Sequence, residues 1–190
     1  MLNLGVIFII GPQGSGKGTQ GKLLAEKLGF FYWETGSILR EIIQEGGPLK
    51  EKVSAMNQGT LLSDDVIDEV IKEKFYTIPF GKGIIFDGVP RRLGQAKFLL
   101  QFLREQKKGE MTTIFIDLPR EDSIRRLSLR AQKEGRVDDT PAIIEFRLSQ
   151  YYEAIKPALE YLKKETKFID IDGRPSVEEV EKNIDVALGI

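Results

Sequence analysis

The sequence predicts an α/β protein, a five-stranded parallel sheet with helices on both faces, folded as one unit. Three observations carry that expectation. Five short apolar runs of strand length alternate with stretches of helical period. The first run passes directly into a glycine-rich loop and then a helix. The length, 190 residues, is that of one domain at roughly 150 residues apiece, enough to bury about 70% of the chain's surface.

The strands are read at Leu4–Ile10, Phe30–Trp33, Gly83–Phe86, Thr112–Asp117 and Lys167–Ile171. The first three are nearly continuous in apolar residues, as strands covered on both faces are, and the last two carry apolar centres flanked by polar residues. A helix from Lys17 to Leu28 is stopped by Gly29, and another from Asp64 to Phe75 starts after Ser63 with two acids in its first turn. A third begins at Thr140 and Pro141, since proline at the first helical position loses no hydrogen bond. Its apolar stripe runs through Ile144, Leu148, Tyr151, Ile155, Leu159 and Leu162, with a kink expected at Pro157. The last helix opens on a capping box, Ser176 with Glu179, and turns Val177, Val180, Ile184 and Leu188 to the sheet. In such a sheet, ligands are expected outside the strand C-termini.

Composition excludes several classes. With 28 basic and 29 acidic residues and a net charge of −1, the chain lacks the basic excess of a nucleic-acid or acidic-membrane binder. It has no cysteine and no histidine, so disulfides, thiolate metal sites and the commonest general base are ruled out. The longest apolar stretch, Val6–Ile10, is far below the roughly 20 residues of a membrane span. A soluble, cytoplasmic, monomeric protein is expected.

The chemistry concentrates in three places. Gly11-Pro-Gln-Gly14-Ser15-Gly16-Lys17-Gly18-Thr19 satisfies GxxxxGK between a strand and a helix. There successive backbone N–H groups turn onto phosphate oxygens, the helix dipole adds to them, and Lys17 reaches the β and γ phosphates. Gly83-Ile-Ile-Phe-Asp87-Gly88-Val-Pro-Arg91 is a second buried strand ending in an acid. Asp87 is a candidate to hold hydrated magnesium, and Arg91 to clamp phosphate with its planar fork. Six arginines fall between Arg120 and Arg147. Arg120 and Arg125 read as a solvated face, whereas Arg126 and Arg130, four apart, share one side of a helix.

These motifs resemble those of the adenylate kinases, within the nucleoside monophosphate kinases, over essentially the whole chain. The resemblance implies a three-layer P-loop kinase fold. It divides the chain into a core of 1–34, 64–129 and 140–190, a mobile acceptor-nucleotide insert at 35–63 and a short mobile lid at 130–139. Thr35-Gly36-Ser-Ile-Leu-Arg40 is similar to the monophosphate-binding motif, and Gly59-Thr-Leu-Leu62-Ser-Asp to the segment enclosing the acceptor base, with Leu62 and Ile67 as apolar walls. Asp87-Gly88-Val89-Pro90-Arg91 matches DGFPR with Val89 for Phe, and Gln95 falls where the family reads the adenine edge. Arg126, Arg130, Arg136 and Arg147 land on the donor-base, phosphate and lid arginines, and Gly173 on the loop against the donor adenine.

The implied ATP site is Gly14 to Thr19 with Arg126, Arg130 and Gly173. The implied AMP site is Thr35, Gly36, Arg40, Gly59, Leu62, Ile67, Gly88, Arg91, Gln95, Arg136 and Arg147. The catalytic cations are Lys17, Arg91, Arg130, Arg136 and Arg147. Two departures stand out: Ser37 where an acid is usual, and only five residues between Arg130 and Arg136, with no cysteine or histidine for the zinc site of long-lid relatives.

The implied reaction is ATP plus AMP giving two ADP, with Mg2+ and no zinc. An AMP phosphate is ionised at neutral pH, so no general base is needed, and catalysis reduces to positioning and charge neutralisation. A UMP/CMP kinase and a nucleotide-binding regulatory protein without turnover are the rival readings. Thr35 and Gln95 favour adenine, and the arginine set favours turnover.

Overall fold

The computed structural model describes residues 5–54, 62–134 and 140–190. Its elements run β1 (Val6–Ile10), α1 (Lys17–Leu28), β2 (Phe31–Glu34), α2 (Thr35–Glu45), α3 (Pro48–Ser54), α4 (Asp64–Phe75) and β3 (Ile84–Asp87). They continue with α5 (Leu93–Glu105), β4 (Met111–Asp117), α6 (Arg120–Glu134), α7 (Pro141–Glu165), β5 (Lys167–Asp172) and α8 (Val177–Leu188). The sheet is five-stranded and parallel in the order β2-β3-β1-β4-β5. This is the α/β architecture expected from the sequence.

The layers follow from the period of two along β1. Val6, Phe8 and Ile10 face a core shared with α2, α3, α4, α5 and α7. Ile7 and Ile9 face a second core, where Leu24 and Ala25 of α1 pack with Val180 and Ile184 of α8. With β1 central, the chain winds outward to β3 and β2 on one side and to β4 and β5 on the other. The C-terminal end of β1 therefore opens into the crevice where the winding reverses, and the glycine-rich loop sits there.

The helix starts differ in detail from expectation. Thr140 and Ser176 accept from the N–H groups of Ile143 and Glu179, and Glu179 completes the box. Ser63 occupies the N-cap of α4 without bonding a helix N–H. Its hydroxyl instead helps to hold the Asp65 carboxyl below its ordinary pKa. Helix α7 continues past Pro157 to Glu165.

Helices α2, α3, α5 and α6 join those read as elements from the sequence. From the sequence, no helix is read within the acceptor-nucleotide insert, 35–63. Yet Leu39 and Ile42 of α2 and Leu49 and Val53 of α3 are buried in the main core. Ile38, Leu39, Ile42 and Ile43 do repeat at helical spacing along α2; what it lacks is a start signal, since it follows β2 with no intervening turn, on Glu34, without a side-chain cap or an acid in its first turn. None of the described helices is long and apolar enough to cross a membrane.

Candidate active site

The phosphate loop is shaped by two left-handed residues, Gly14 (φ 85°) and Gly16 (φ 89°). Gly16 caps α1, so the free N–H groups of the first turn face the crevice. The Lys17 ammonium donates to the Pro12 carbonyl across the loop (3.3 Å). Ser15 is buried, with its Oγ unpartnered, and Thr19 is exposed. The loop is braced from behind. Arg126 donates to the Gly14 carbonyl (3.4 Å) and the Arg174 carbonyl (2.9 Å), while the Gly173 N–H donates to Asp117 O (2.7 Å). Gln20 ties α1 to the start of α8 through the Val177 carbonyl (2.8 Å).

The end of β3 forms the opposite wall. Register pairs Glu34 with Asp87, which brings Thr35 beside the strand end. The Thr35 hydroxyl donates to the Asp87 carbonyl (2.8 Å). The Tyr32 hydroxyl donates to Asp87 Oδ2 (2.6 Å), and the Gly18 carbonyl is a longer acceptor at 3.4 Å. Burial, and then the Asp87 charge, push the Tyr32 phenol well above its ordinary pKa, so it remains a donor. Arg91 Nε donates to the Gly88 carbonyl (2.8 Å). Val89 is buried in the main core, so the exchange of Phe for Val falls on packing.

Charge converges here. Burial lowers the Lys17 pKa most, Asp87 raises it, and the nearby Arg91 and Arg130 lower it further. Burial likewise lowers Arg91, with Asp87 raising it and Arg147 lowering it again. Four cations from α1, the β3–α5 loop, α6 and α7 thus lie within electrostatic range across one cleft, with the Asp87 carboxylate among them. Such a site is built for a polyanion. Gln13, Lys17, Gly88, Arg91 and Tyr151 line the cleft, and both Gln13 Oε1 and the Tyr151 hydroxyl are buried there without a partner.

On the acceptor side, Leu62 and Ile67 are buried against α4 and α5. Gln95 is 3% exposed; its Oε1 accepts from the Arg91 N–H (2.8 Å) and its Nε2 donates to Asp64 Oδ1 (3.1 Å). Arg40 turns to the Ser37 hydroxyl (2.9 Å) and the Glu34 carboxylate (3.5 Å), with its guanidinium lying over Gly36. Gly59 and Arg136 lie outside the described residues. Arg120 pairs with Glu145 and Arg125 with Asp122, in keeping with a solvated face.

A protein-family model described as adenylate kinase matches residues 9–167. The chain is 38% identical to the adenylate kinase of Thermus thermophilus over 185 residues, 97% of each protein. It is 36% identical to that of Hyphomonas neptunium over 185 residues, 96% of this chain and 97% of the other. With that of Phocaeicola vulgatus it shares 35% over 189 residues, 99% and 98% of the two.

The chain belongs to the adenylate kinase family. As such it is a phosphotransferase, a nucleoside monophosphate kinase. Within the adenylate kinase frame, the residues that sequence reasoning missed are Tyr32, Asp64 and Tyr151. Tyr32 had a legible signal: Gly18 and Gly21 lie one turn apart on α1, and a Cβ at Gly21 would come within 2.6 Å of the Tyr32 ring. Asp64 was legible only as a first-turn acid and as the last residue of the Gly59–Asp64 motif; its link to Gln95, 31 residues away, was not. Among the described residues no group of three or more His, Cys, Asp or Glu could hold a metal ion. Asp87 is the acid facing the phosphate loop, and the missing side chain of Gly18 leaves room over its Oδ2. That donor set fits a hydrated ion carried in by phosphates and not one held by protein alone.

Proposed function

We propose that the cleft transfers the terminal phosphoryl group of ATP to AMP, reversibly, giving two ADP. The observation that carries this reading is the convergence of Lys17, Arg91, Arg130 and Arg147 on one cleft beside the phosphate loop, with Asp87 as the offsetting acid. Transfer between two phosphates needs no proton removed from the attacking oxygen. A chain without histidine is therefore adequate, provided it aligns donor and acceptor and neutralises charge on the transferring oxygens.

The donor triphosphate lies on Gly14 to Thr19, with Lys17 at the β and γ phosphates and with Arg126 and Gly173 toward its base. The acceptor phosphate is held by Arg40, Arg91 and Arg147, and its base lies among Thr35, Gly36, Leu62, Ile67, Gly88 and Gln95. Arg130 and Arg136 flank the transferring group from a lid at 130–139, and 35–63 closes over the acceptor. Closure excludes water, which would otherwise take the phosphoryl group. Magnesium bound with ATP neutralises the donor phosphates, and Asp87, steadied by Tyr32, is the residue that would accept hydrogen bonds from its water shell. Every group named comes from one chain, so a monomer suffices.

The test is coupled ADP production across AMP, CMP, UMP and GMP, with and without magnesium. Gln95 carries a carbonyl acceptor and an amide donor and can pair with both N6 and N1 of adenine. AMP should exceed CMP and UMP by at least about 100-fold in kcat/KM. Gln95→Leu should narrow that margin by raising KM for AMP, with KM for ATP nearly unchanged. A pyrimidine monophosphate as the better acceptor overturns the adenine assignment.

A further inference from the structure

We infer that Asp64 locks the Gln95 amide in one of its two orientations and so makes the acceptor site select 6-amino over 6-oxo purine monophosphates. The inference rests on the reading of Gln95 as the group facing the acceptor base.

A glutamine amide can be turned by 180°, exchanging its oxygen and nitrogen at little intrinsic cost, so its neighbours decide which way it points. Two neighbours decide here. The Arg91 N–H can only donate, and it meets Gln95 Oε1 at 2.8 Å. The Asp64 carboxylate accepts from Nε2 at 3.1 Å. Turning the amide over would set N–H against N–H and oxygen against carboxylate, in a side chain only 3% exposed.

Asp64 is itself held in place. It is the first residue of α4, where the helix dipole favours a carboxylate. Arg92 lies 3.6 Å from Asp64 Oδ1 and donates to the Leu62 carbonyl (3.1 Å). Residue 94, one position before Gln95, is glycine, and a Cβ there would overlap Asp64 Oδ2. The bare Cα lets the carboxylate lie against the start of α5 within reach of the amide.

The consequence is chemical. Each Gln95 group has one valence used: one N–H remains on Nε2 and one lone pair on Oε1. Adenine presents a donor at C6 and an acceptor at N1, which the locked amide complements. Hypoxanthine presents an acceptor at C6 and a donor at N1, the inverse pattern, which only the turned amide would complement. Asp64 is thus a positioning residue: it discriminates without touching the base.

The experiment measures kcat and KM for AMP and IMP at saturating ATP in the full chain. The variants are Asp64→Ala, Asp64→Asn, Gly94→Ala and Gln95→Leu, with Asp65→Ala, on the exposed side of the same turn, as control. The AMP:IMP ratio of kcat/KM is insensitive to the fraction of enzyme that folds. Asp64→Ala and Gly94→Ala should each lower it about tenfold or more, the worth of the one or two mismatched hydrogen bonds released, chiefly by lowering KM for IMP, with KM for AMP and for ATP little moved. Asp64→Asn keeps an oxygen to receive Nε2–H and should recover most of the ratio, and Asp65→Ala should leave it unchanged. If Gln95→Leu raises KM for AMP while Asp64→Ala lowers only melting temperature or kcat, with the ratio intact, the lock is overturned and the acceptor-site reading stands. If Gln95→Leu leaves KM for AMP alone, that reading fails and the lock falls with it.

Discussion

Replacing Lys17 by methionine separates what the phosphate site does for catalysis from what it costs the fold. Methionine keeps most of the length of the side chain and removes its charge. Lys17 is one of four cations across the cleft, and removing one donor of this kind costs about 100- to 1,000-fold in kcat, or about 2.7–4 kcal/mol. The ligand-free protein should respond in the other direction. Burial, Arg91 and Arg130 all lower the Lys17 pKa, and Asp87 offsets them only in part. Because the folded-state pKa is depressed, this group opposes folding at pH values below it, and the opposition fades as pH rises through it. Losing the bond to the Pro12 carbonyl (3.3 Å) subtracts about 1 kcal/mol from the gain. The melting temperature of free Lys17→Met at pH 7.5 should therefore equal or exceed that of the parent. The added stability from a bisubstrate mimic, two adenosines joined by five phosphates, should shrink. Coupled ADP assays and thermal melts with and without the mimic read both quantities. Turnover within threefold of the parent, or a clear fall in the ligand-free melting temperature, would refute the reasoning.

Chelation by EDTA should abolish turnover, since magnesium accompanies the donor phosphates, and leave the melting temperature unchanged, because a chain with no cysteine or histidine lacks the ligands of a structural zinc site; unfolding on chelation would contradict this. Asp68 has a buried, unpartnered Oδ1, and burial followed by the Asp64 charge raises its pKa to about 6. The folded state therefore binds this proton more tightly than the unfolded one, and stability falls as pH rises from about 4 through about 6. Asp68→Asn should raise the melting temperature at pH 7.5 by roughly 2–4 °C, equivalent to about 1 kcal/mol, and the gain should vanish near pH 4. A shift that persists at pH 4 would place its origin elsewhere.

The sequence by itself determined what depends on neighbours a few residues apart. The turn from β1 through Gly14 and Gly16 into α1, the Ser176–Glu179 box at α8 and the acid at the end of β3 are set by glycine's access to positive φ, by side-chain caps and by apolar runs. Their function was legible for the same reason, since a phosphate cradle is a local object. Only the tertiary structure decided the pairs that tune the site. Tyr32 reaches Asp87 across 55 positions, Arg126 reaches Gly14 across 112, and Asp64 reaches Gln95 across 31. Each depends on where whole elements land: β3 inserts between β2 and β1, which sets Glu34 against Asp87, and α4 packs on α5, which brings Asp64 to Gln95. Helix α2 was missed although Ile38, Leu39, Ile42 and Ile43 repeat at helical spacing, because it follows β2 with neither a turn nor a side-chain cap to mark its start, and α3 because its seven residues offer only Leu49 and Val53 to the core. A local pattern records the backbone's preferences, whereas which side chains meet across the sheet is decided by the total burial of the fold, a quantity that no window of sequence contains.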